Sequence, residues 1–219
     1  VIRSFVRREG RFTNAQRAAL EKHWPKYGID VDQNQILDLE QVFQNVQPVV
    51  IDIGFGNGES LLTLARQHQQ LNFVGVEVYR PGMGNLLKKL FEANLNNVRV
   101  INADVVELLQ NNIASNSFSA TLIWFADPWP KKRHHKRRLI QVPFLQLLAD
   151  KLDVEGELNI ATDWQPYAEH IQEKIRESNL FVETSKSSFV KKRPRTKFER
   201  RGEKLGHQVF EQIYIKKSS

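Results

Sequence analysis

The run "VVIDIGFGNG" sets Gly54, Gly56 and Gly58 directly after a short apolar stretch, with Asp52 two residues ahead of the first glycine. Glycine reaches positive φ at little cost and lets a ligand approach the backbone, so a G-x-G-x-G turn at the carboxyl end of a strand reads as a cradle. A dinucleotide fingerprint would place a third glycine where this chain has Glu59. A carboxylate at that helix start repels the pyrophosphate that the helix dipole attracts, which disfavours a phosphate-bearing cofactor and, with it, an oxidoreductase. Glu77 closes a second apolar run about 20 residues further on, where recognition of a ribose diol expects an acid, and Asp104 closes a third. Brought to one crevice, the acids suit a nucleoside that carries an amine and a positive centre. Asp52 would meet the ammonium, Glu77 the ribose and Asp104 the base edge. The bland alternative for each is a helix cap at a strand end.

A second constellation is "FADPWPKKRHHKRR", Phe125 to Arg138, in which Asp127 stands before Lys131, Lys132, Arg133, His134, His135, Lys136, Arg137 and Arg138. Phosphates held by the cations would deliver a base edge to the acid. Pro128 and Pro130 stiffen the chain around Trp129, whose ring either stacks on an extruded base or packs as core. The histidine pair has no acid or thiol at ligand spacing, so no metal is expected. Zero cysteines remove the nucleophile that carbon-5 pyrimidine methylation commonly needs.

These residues need a scaffold that ends several strands at one edge. Strands are predicted at Val49 to Ile53, "NFVGVEVY", "NVRVINAD", "SATLIWFAD" and "GELNIATD", with helices "ESLLTLARQH", Pro81 to about Asn94, "VVELLQNNI", "LIQVPFLQLLADKL" and "QPYAEHIQEKIRES" between and after them. That alternation predicts a doubly wound, mostly parallel α/β sheet. Asp127 is then expected at the end of the fourth strand and Asp163 at the end of the fifth. "LFVETSKSSF" and "GHQVFEQIYIKK" are consecutive strand candidates without a helix between them, which predicts an antiparallel hairpin on one sheet edge. Residues 1–30 read as a basic arm and a lead-in helix capped by Thr13 or Asn14, and residues 31–219 as one domain.

A length of 219 residues and a net charge of +7 fit one globular unit with a polyanionic partner. No apolar run approaches the roughly 18 residues of a membrane span, and the arginine-rich start lacks a signal h-region, so a cytoplasmic protein is expected.

In order along the chain, "IRSFVRREGR", "DIGFGNG", "VEVYRPG", "FADPWPKKRHHKRR", "ATDWQPYAEH" and "RPRTKFERRGEKLGH" resemble the bacterial tRNA (guanine-N7-)-methyltransferase family, within the class I S-adenosylmethionine-dependent methyltransferases of Rossmann-like fold. The resemblance spans nearly the whole chain, and "DPWPKKRH…KRR" and "TKFE" are its specific parts. It implies S-adenosyl-L-methionine as cofactor, held by Asp52, Gly54, Gly56, Gly58, Glu77, Asp104 and Asp127, with Asp127 catalytic. Many members carry Glu where this chain has Asp52. Substrate contacts carry over onto Lys131, Asp163, Thr196, Lys197, Phe198 and Glu199, and RNA contacts onto Arg133, His134, His135, Lys136, Arg137 and Arg138. Read from the residues alone, Lys197 is a phosphate contact, Phe198 a packing anchor and Glu199 either a guanine contact or a salt-bridge partner of Arg195 or Arg200. The implied reaction is methylation of N7 of the variable-loop guanine of tRNA by a monomer or weak homodimer. An exocyclic-amine methyltransferase and a non-catalytic RNA-binding protein of the same fold are the rivals.

Overall fold

The computed structural model describes residues 12–32, 35–189, 193–195, 199 and 208–218. Five of the strands fall where apolar runs predict them: β2 (Val49–Ile53), β3 (Asn72–Val76), β4 (Val98–Ile101), β5 (Phe118–Trp124) and β6 (Leu152–Thr162). With β1 (Gly28–Ile29), β7 (Phe181–Thr184) and β8 (Phe210–Lys216), they form one sheet in the order β1-β4-β3-β2-β5-β6-β8-β7. β1 through β6 pair parallel, whereas β8 runs antiparallel to both β6 and β7. The expected doubly wound sheet with its C-terminal hairpin is therefore present. The later hairpin strand, β8, lies inside, and β7 forms the edge.

Every residue of β2 and β3 is buried because helices cover both faces. Val49, Ile51 and Ile53 face α5 (Val105–Asn111), α6 (Val142–Lys151) and α7 (Gln165–Ser178). Val50 faces α1 (Asn14–Tyr27), α3 (Glu59–Gln67) and α4 (Arg80–Glu92). The strand order reverses at β2, since β3 and β4 extend the sheet to one side and β5 and β6 to the other. In such sheets the ligand crevice opens at the carboxyl ends beside that switch point.

Two elements escape the periodicity. The short strand β1 and the helix α2 (Leu39–Phe43) are too brief to show a repeat. Thr13 is the cap of α1, accepting from the Gln16 amide at 3.2 Å while Gln16 Oε1 accepts from the Thr13 amide at 3.0 Å. α1 buries Leu20 and Tyr27 in the core it shares with α4. A Cβ on Gly84 would come within 2.2 Å of the Gln16 carbonyl oxygen, which shows how closely the two helices approach. β1, which follows α1 directly, belongs to the sheet.

Candidate active site

The glycine turn follows β2 with φ values of +77°, +58° and +72° at Gly54, Gly56 and Gly58, conformations that side chains with a Cβ rarely adopt. A Cβ built on Gly54 or Gly56 meets nothing within 4 Å, so both glycines line an open hollow that side chains would fill. Gly58 has a different task, since its Cβ would collide with Leu86 at 2.8 Å and hold α3 away from α4. Gly82, in the first turn of α4, sits so close that its Cβ would lie 2.0 Å from the Gly56 carbonyl oxygen. Its only sequence signal is the "RPG" helix start, which does not distinguish a packing glycine from an incidental one.

Glu77 stands one residue past β3 and organises the turn from the neighbouring strand. Its carboxylate accepts from the amides of Gly56 at 2.8 Å, Val78 at 2.7 Å and Tyr79 at 3.0 Å. Asp104 lies three residues beyond β4 and caps α5, with Oδ1 accepting from the Val106 amide at 2.9 Å. That cap fixes the carboxylate at the crevice rim, so capping and ligand recognition are compatible uses of one side chain.

Asp52 is 2% exposed, and burial, reinforced by the Glu77 charge, pushes its carboxyl up to about 7. The folded chain therefore holds this proton more tightly than the unfolded chain, where the ordinary value is 3.8. The resulting stabilisation is complete below the unfolded value and is lost as pH rises through about 7. Thermal melts of the ligand-free protein should show stability falling from about pH 4 and levelling above about pH 7, with Asp52→Asn removing that component; a shift of this size corresponds to roughly 4 kcal/mol over the full range. A slope unaltered in Asp52→Asn would assign the titration to other groups.

On the other side of the switch point, β5 stops at Trp124, short of the Asp127 terminus that its apolar run predicts. Phe125 turns the chain at φ +60°, with its amide donating to the Ala161 carbonyl at 2.7 Å, and Asp127 emerges exposed on the loop beyond. The basic stretch then winds into a 3-10 helix over Lys132–Arg137. Lys131, Lys132, Arg133 and Lys136 are exposed, and His134, His135 and Arg137 are half-buried. Arg137 lies 4.2 Å from the Trp129 ring centroid and His134 meets the same ring edge-on at 5.7 Å. Trp129 is thus neither core nor an open platform; a cation of its own segment covers it.

Arg138 departs from its expected place among the RNA contacts. It is 4% exposed, donates from Nε to the Pro128 carbonyl at 2.9 Å and lies over the Tyr167 ring at 5.3 Å. Its charge fastens the Asp127 turn to α7 rather than facing solvent.

Asp163 is exposed immediately after β6, at the same carboxyl edge as the glycine turn and Asp127. Thr196, Lys197 and Phe198 lie outside the described residues. Glu199 is described, and it does not present an open carboxylate. It is 7% exposed, and Arg193 takes both of its oxygens, one from Nη1 at 2.7 Å and the other from Nη2. A salt bridge from Arg193 therefore engages this carboxylate. Among the described residues, no group of three or more His, Asp or Glu is placed to hold a metal ion, and no helix is long and apolar enough to cross a membrane.

A family model described as "Putative methyltransferase" matches residues 46–212. A tRNA (guanine-N(7)-)-methyltransferase of Halorhodospira halophila is 47% identical over 216 residues, covering 97% of this chain and 94% of the relative. One of the same name from Nitrosococcus oceani is 49% identical, with coverage of 96% and 89%. This chain belongs to the tRNA (guanine-N7-)-methyltransferase family. Among solved structures, the 16S rRNA methyltransferase KamB superposes with a TM-score of 0.60 at 15% identity, over 88% of this chain and 98% of that one. A 30S ribosomal A1408 methyltransferase from an uncultured bacterium gives 0.54 at 16%, over 87% and 96%. These two likenesses concern the fold alone.

Within this tRNA (guanine-N7-)-methyltransferase, motif reading passed over Gly82, Arg193 and the buried pair Trp124 and Asn159, whose indole N–H donates to the amide oxygen at 2.9 Å. It also passed over a cleft of about 600 Å³ between α1 and α4, lined in part by Arg17, Trp24, Arg80 and Asn102. Asn102 joins that cleft to the acids, since its side-chain amide donates to the Glu77 carbonyl at 2.9 Å.

Proposed function

We propose that this enzyme transfers a methyl group from S-adenosylmethionine to N7 of the variable-loop guanine, position 46, of tRNA, acting in the cytoplasm as a monomer or weak homodimer. The observation that carries the reading is the shared carboxyl edge: the glycine hollow with Asp52 and Glu77 lies at β2 and β3, and the Asp127 turn with its exposed cations lies next door at β5.

When bound, S-adenosylmethionine supplies an electrophilic methyl group on a sulfonium centre. Gly54 and Gly56 admit it against the backbone, Asp52 meets its ammonium, Glu77 its ribose and Asp104 its adenine edge. An ammonium beside Asp52 favours the ionised carboxylate, so binding below about pH 7 should release close to one proton. Calorimetry at pH 6 in buffers of different ionisation enthalpy reads this directly. Asp52→Asn should bind without the release, and an equal release in that variant would remove Asp52 from the ammonium site.

Guanine N7 carries a lone pair in the neutral base, so no residue has to remove a proton before attack. The chain's task is alignment, and near-attack placement can lower a barrier by roughly 7 to 11 kcal/mol. The purine becomes cationic as the bond forms, and the Asp127 carboxylate stabilises that charge while its acceptors orient the N1 and amino hydrogens. Lys131, Arg133, Lys136 and Arg137 hold phosphates, with His134 and His135 among them, and Arg138 keeps the turn in place. Asp163 and the segment Thr196, Lys197, Phe198 complete the substrate side.

With about 4 or 5 phosphate contacts, log K for tRNA should fall against log salt with a slope of order −4. Arg133→Gln with Lys136→Gln should flatten it by about 2, using roughly 0.9 per contact. An unchanged slope would make the 3-10 helix a solvated face. The deciding assay for the reaction incubates protein with labelled cofactor and total tRNA and digests the product to nucleosides. Label in 7-methylguanosine is expected, and label confined to an amine-methylated nucleoside would replace the proposal with its exocyclic rival.

A further inference from the structure

We infer that the exposed indole of Trp164 is a stacking platform for a tRNA base that flanks the acceptor guanine. The inference rests on the methyl-transfer reading above. Trp164 is 42% exposed and directly follows Asp163 at the carboxyl end of β6. It is the N-cap of α7, a position that favours Ser, Thr, Asp or Asn because their side chains accept from the first unpaired amides, and the indole makes no such bond. Its backbone is nevertheless held. The amide donates to Thr162 Oγ1 at 3.3 Å, and the carbonyl accepts from the amides of Tyr167 at 2.9 Å and Ala168 at 3.1 Å. The ring therefore serves as neither cap nor core, on a firmly held stretch of chain.

The other three tryptophans are engaged. Trp24 donates to Asp30 at 3.0 Å, Trp124 donates to Asn159, and Trp129 is covered by Arg137. Among the described residues, the Trp164 indole has no hydrogen-bond, ring or cation partner. Its position decides what covers it. β5 and β6 pair Trp124 with Ala161, and Asp127 and Trp164 each lie three residues past that pair. Arg138 reaches from the Pro128 carbonyl to the face of Tyr167, which fastens the Asp127 turn to the first turn of α7. The acceptor guanine has to sit between Asp127 and the glycine hollow, whereas Trp164 stands with exposed Gln165 and Pro166 at the outer lip. Drawing a guanine out of its strand strips a stacking partner from the base beside it, and an open indole face at the lip replaces what is lost. Aromatic stacking is tolerant of sequence, so the platform demands no particular base there.

The test measures tRNA and cofactor dissociation constants, with melting temperatures, for the unaltered enzyme and for Trp164→Ala, Trp164→Leu, Trp164→Phe and Trp164→Ser. Trp164→Ala and Trp164→Leu should weaken tRNA binding about tenfold, while Trp164→Phe, which keeps an aromatic face, should stay within about threefold. The salt slope should not change, since no phosphate contact is lost, and cofactor affinity should hold within about twofold. Trp164→Ser supplies the missing cap, so it should melt no lower than the unaltered protein and still bind tRNA as weakly as Trp164→Ala. Three tRNAs then locate the base, two abasic on either side of the acceptor and one abasic at the acceptor itself. On one of the flanking pair, Trp164→Ala should bind no more weakly than the unaltered enzyme, whereas its about tenfold defect should persist on the acceptor-abasic tRNA. Coupling confined to the acceptor position would overturn the inference, as would an undiminished defect on all three. Unchanged tRNA affinity in Trp164→Ala would also overturn it, and so would lowered melting temperatures in both Trp164→Ala and Trp164→Ser. These ratios are read without turnover, so failure of the unaltered enzyme to methylate any tRNA would instead overturn the underlying reading.

Discussion

Methyl transfer is expected to vanish when the acceptor guanosine of the tRNA is replaced by 7-deazaguanosine, while the substituted tRNA still competes for binding. The replacement exchanges the N7 lone pair for a C–H and leaves the amino group and the Watson–Crick edge in place. Phosphate contacts at the 3-10 helix and donor contacts to Asp127 are both retained, so affinity should be preserved while the nucleophile is gone. An exocyclic-amine enzyme, which would use the same fold and an acid-proline-aromatic turn, would still methylate this substrate. Asp127→Asn tests the same step from the protein side. It removes the charge that offsets the developing purine cation and keeps the side-chain shape, so turnover should fall by about 10²- to 10³-fold with tRNA affinity nearly unchanged. Persistent methylation of the deaza nucleoside would refute the N7 assignment. Near-normal turnover in Asp127→Asn would leave N7 standing and remove the electrostatic role.

Glu77→Ala is expected to weaken cofactor binding by about 100-fold or more. Two charge-assisted bonds to a ribose diol account for that at roughly 1.5 kcal/mol each or above. The same carboxylate fastens the Gly56, Val78 and Tyr79 amides, so the turn loosens when it is removed. Asp104→Ala should cost less, nearer tenfold, since its carboxylate offers a single neutral base edge what Glu77 offers two hydroxyls. Calorimetry on folded variants reads both. Cofactor affinity within about twofold of the unaltered protein in Glu77→Ala would make Glu77 a loop brace only.

The likeness of this chain to its relatives at close to half identity makes the family unambiguous, yet different parts of the site were legible to different degrees. Residue type and local spacing were enough for the strand and helix alternation, the glycine turn, the acid near the end of β2, those after β3 and β4, and the C-terminal hairpin. Each follows from short-range rules: period-two or continuous burial in strands, positive φ at glycine, and the need for parallel strands to cross over through helices. The parallel order of β1 to β6 brings their carboxyl ends to one edge, so an expected placement of Glu77, Asp127 and Asp163 near that edge followed from the alternation alone.

Which like residue does which job was settled only in three dimensions. Nothing in "KKRHHKRR" separates Arg138, buried against Pro128 and Tyr167, from Arg133, which faces solvent. Nothing in "RPRTKFERR" marks Arg193 as a partner of Glu199. Ion pairing depends on distance through space and on local dielectric, and a charge run carries neither quantity along the chain. The raised Asp52 carboxyl has the same origin, since its cause is burial between packed layers together with Glu77 just past the adjacent strand. Sequence by itself determined the scaffold and the kinds of groups at its edge; tertiary packing decided which of those groups stay open to ligands and which are locked into holding the others still.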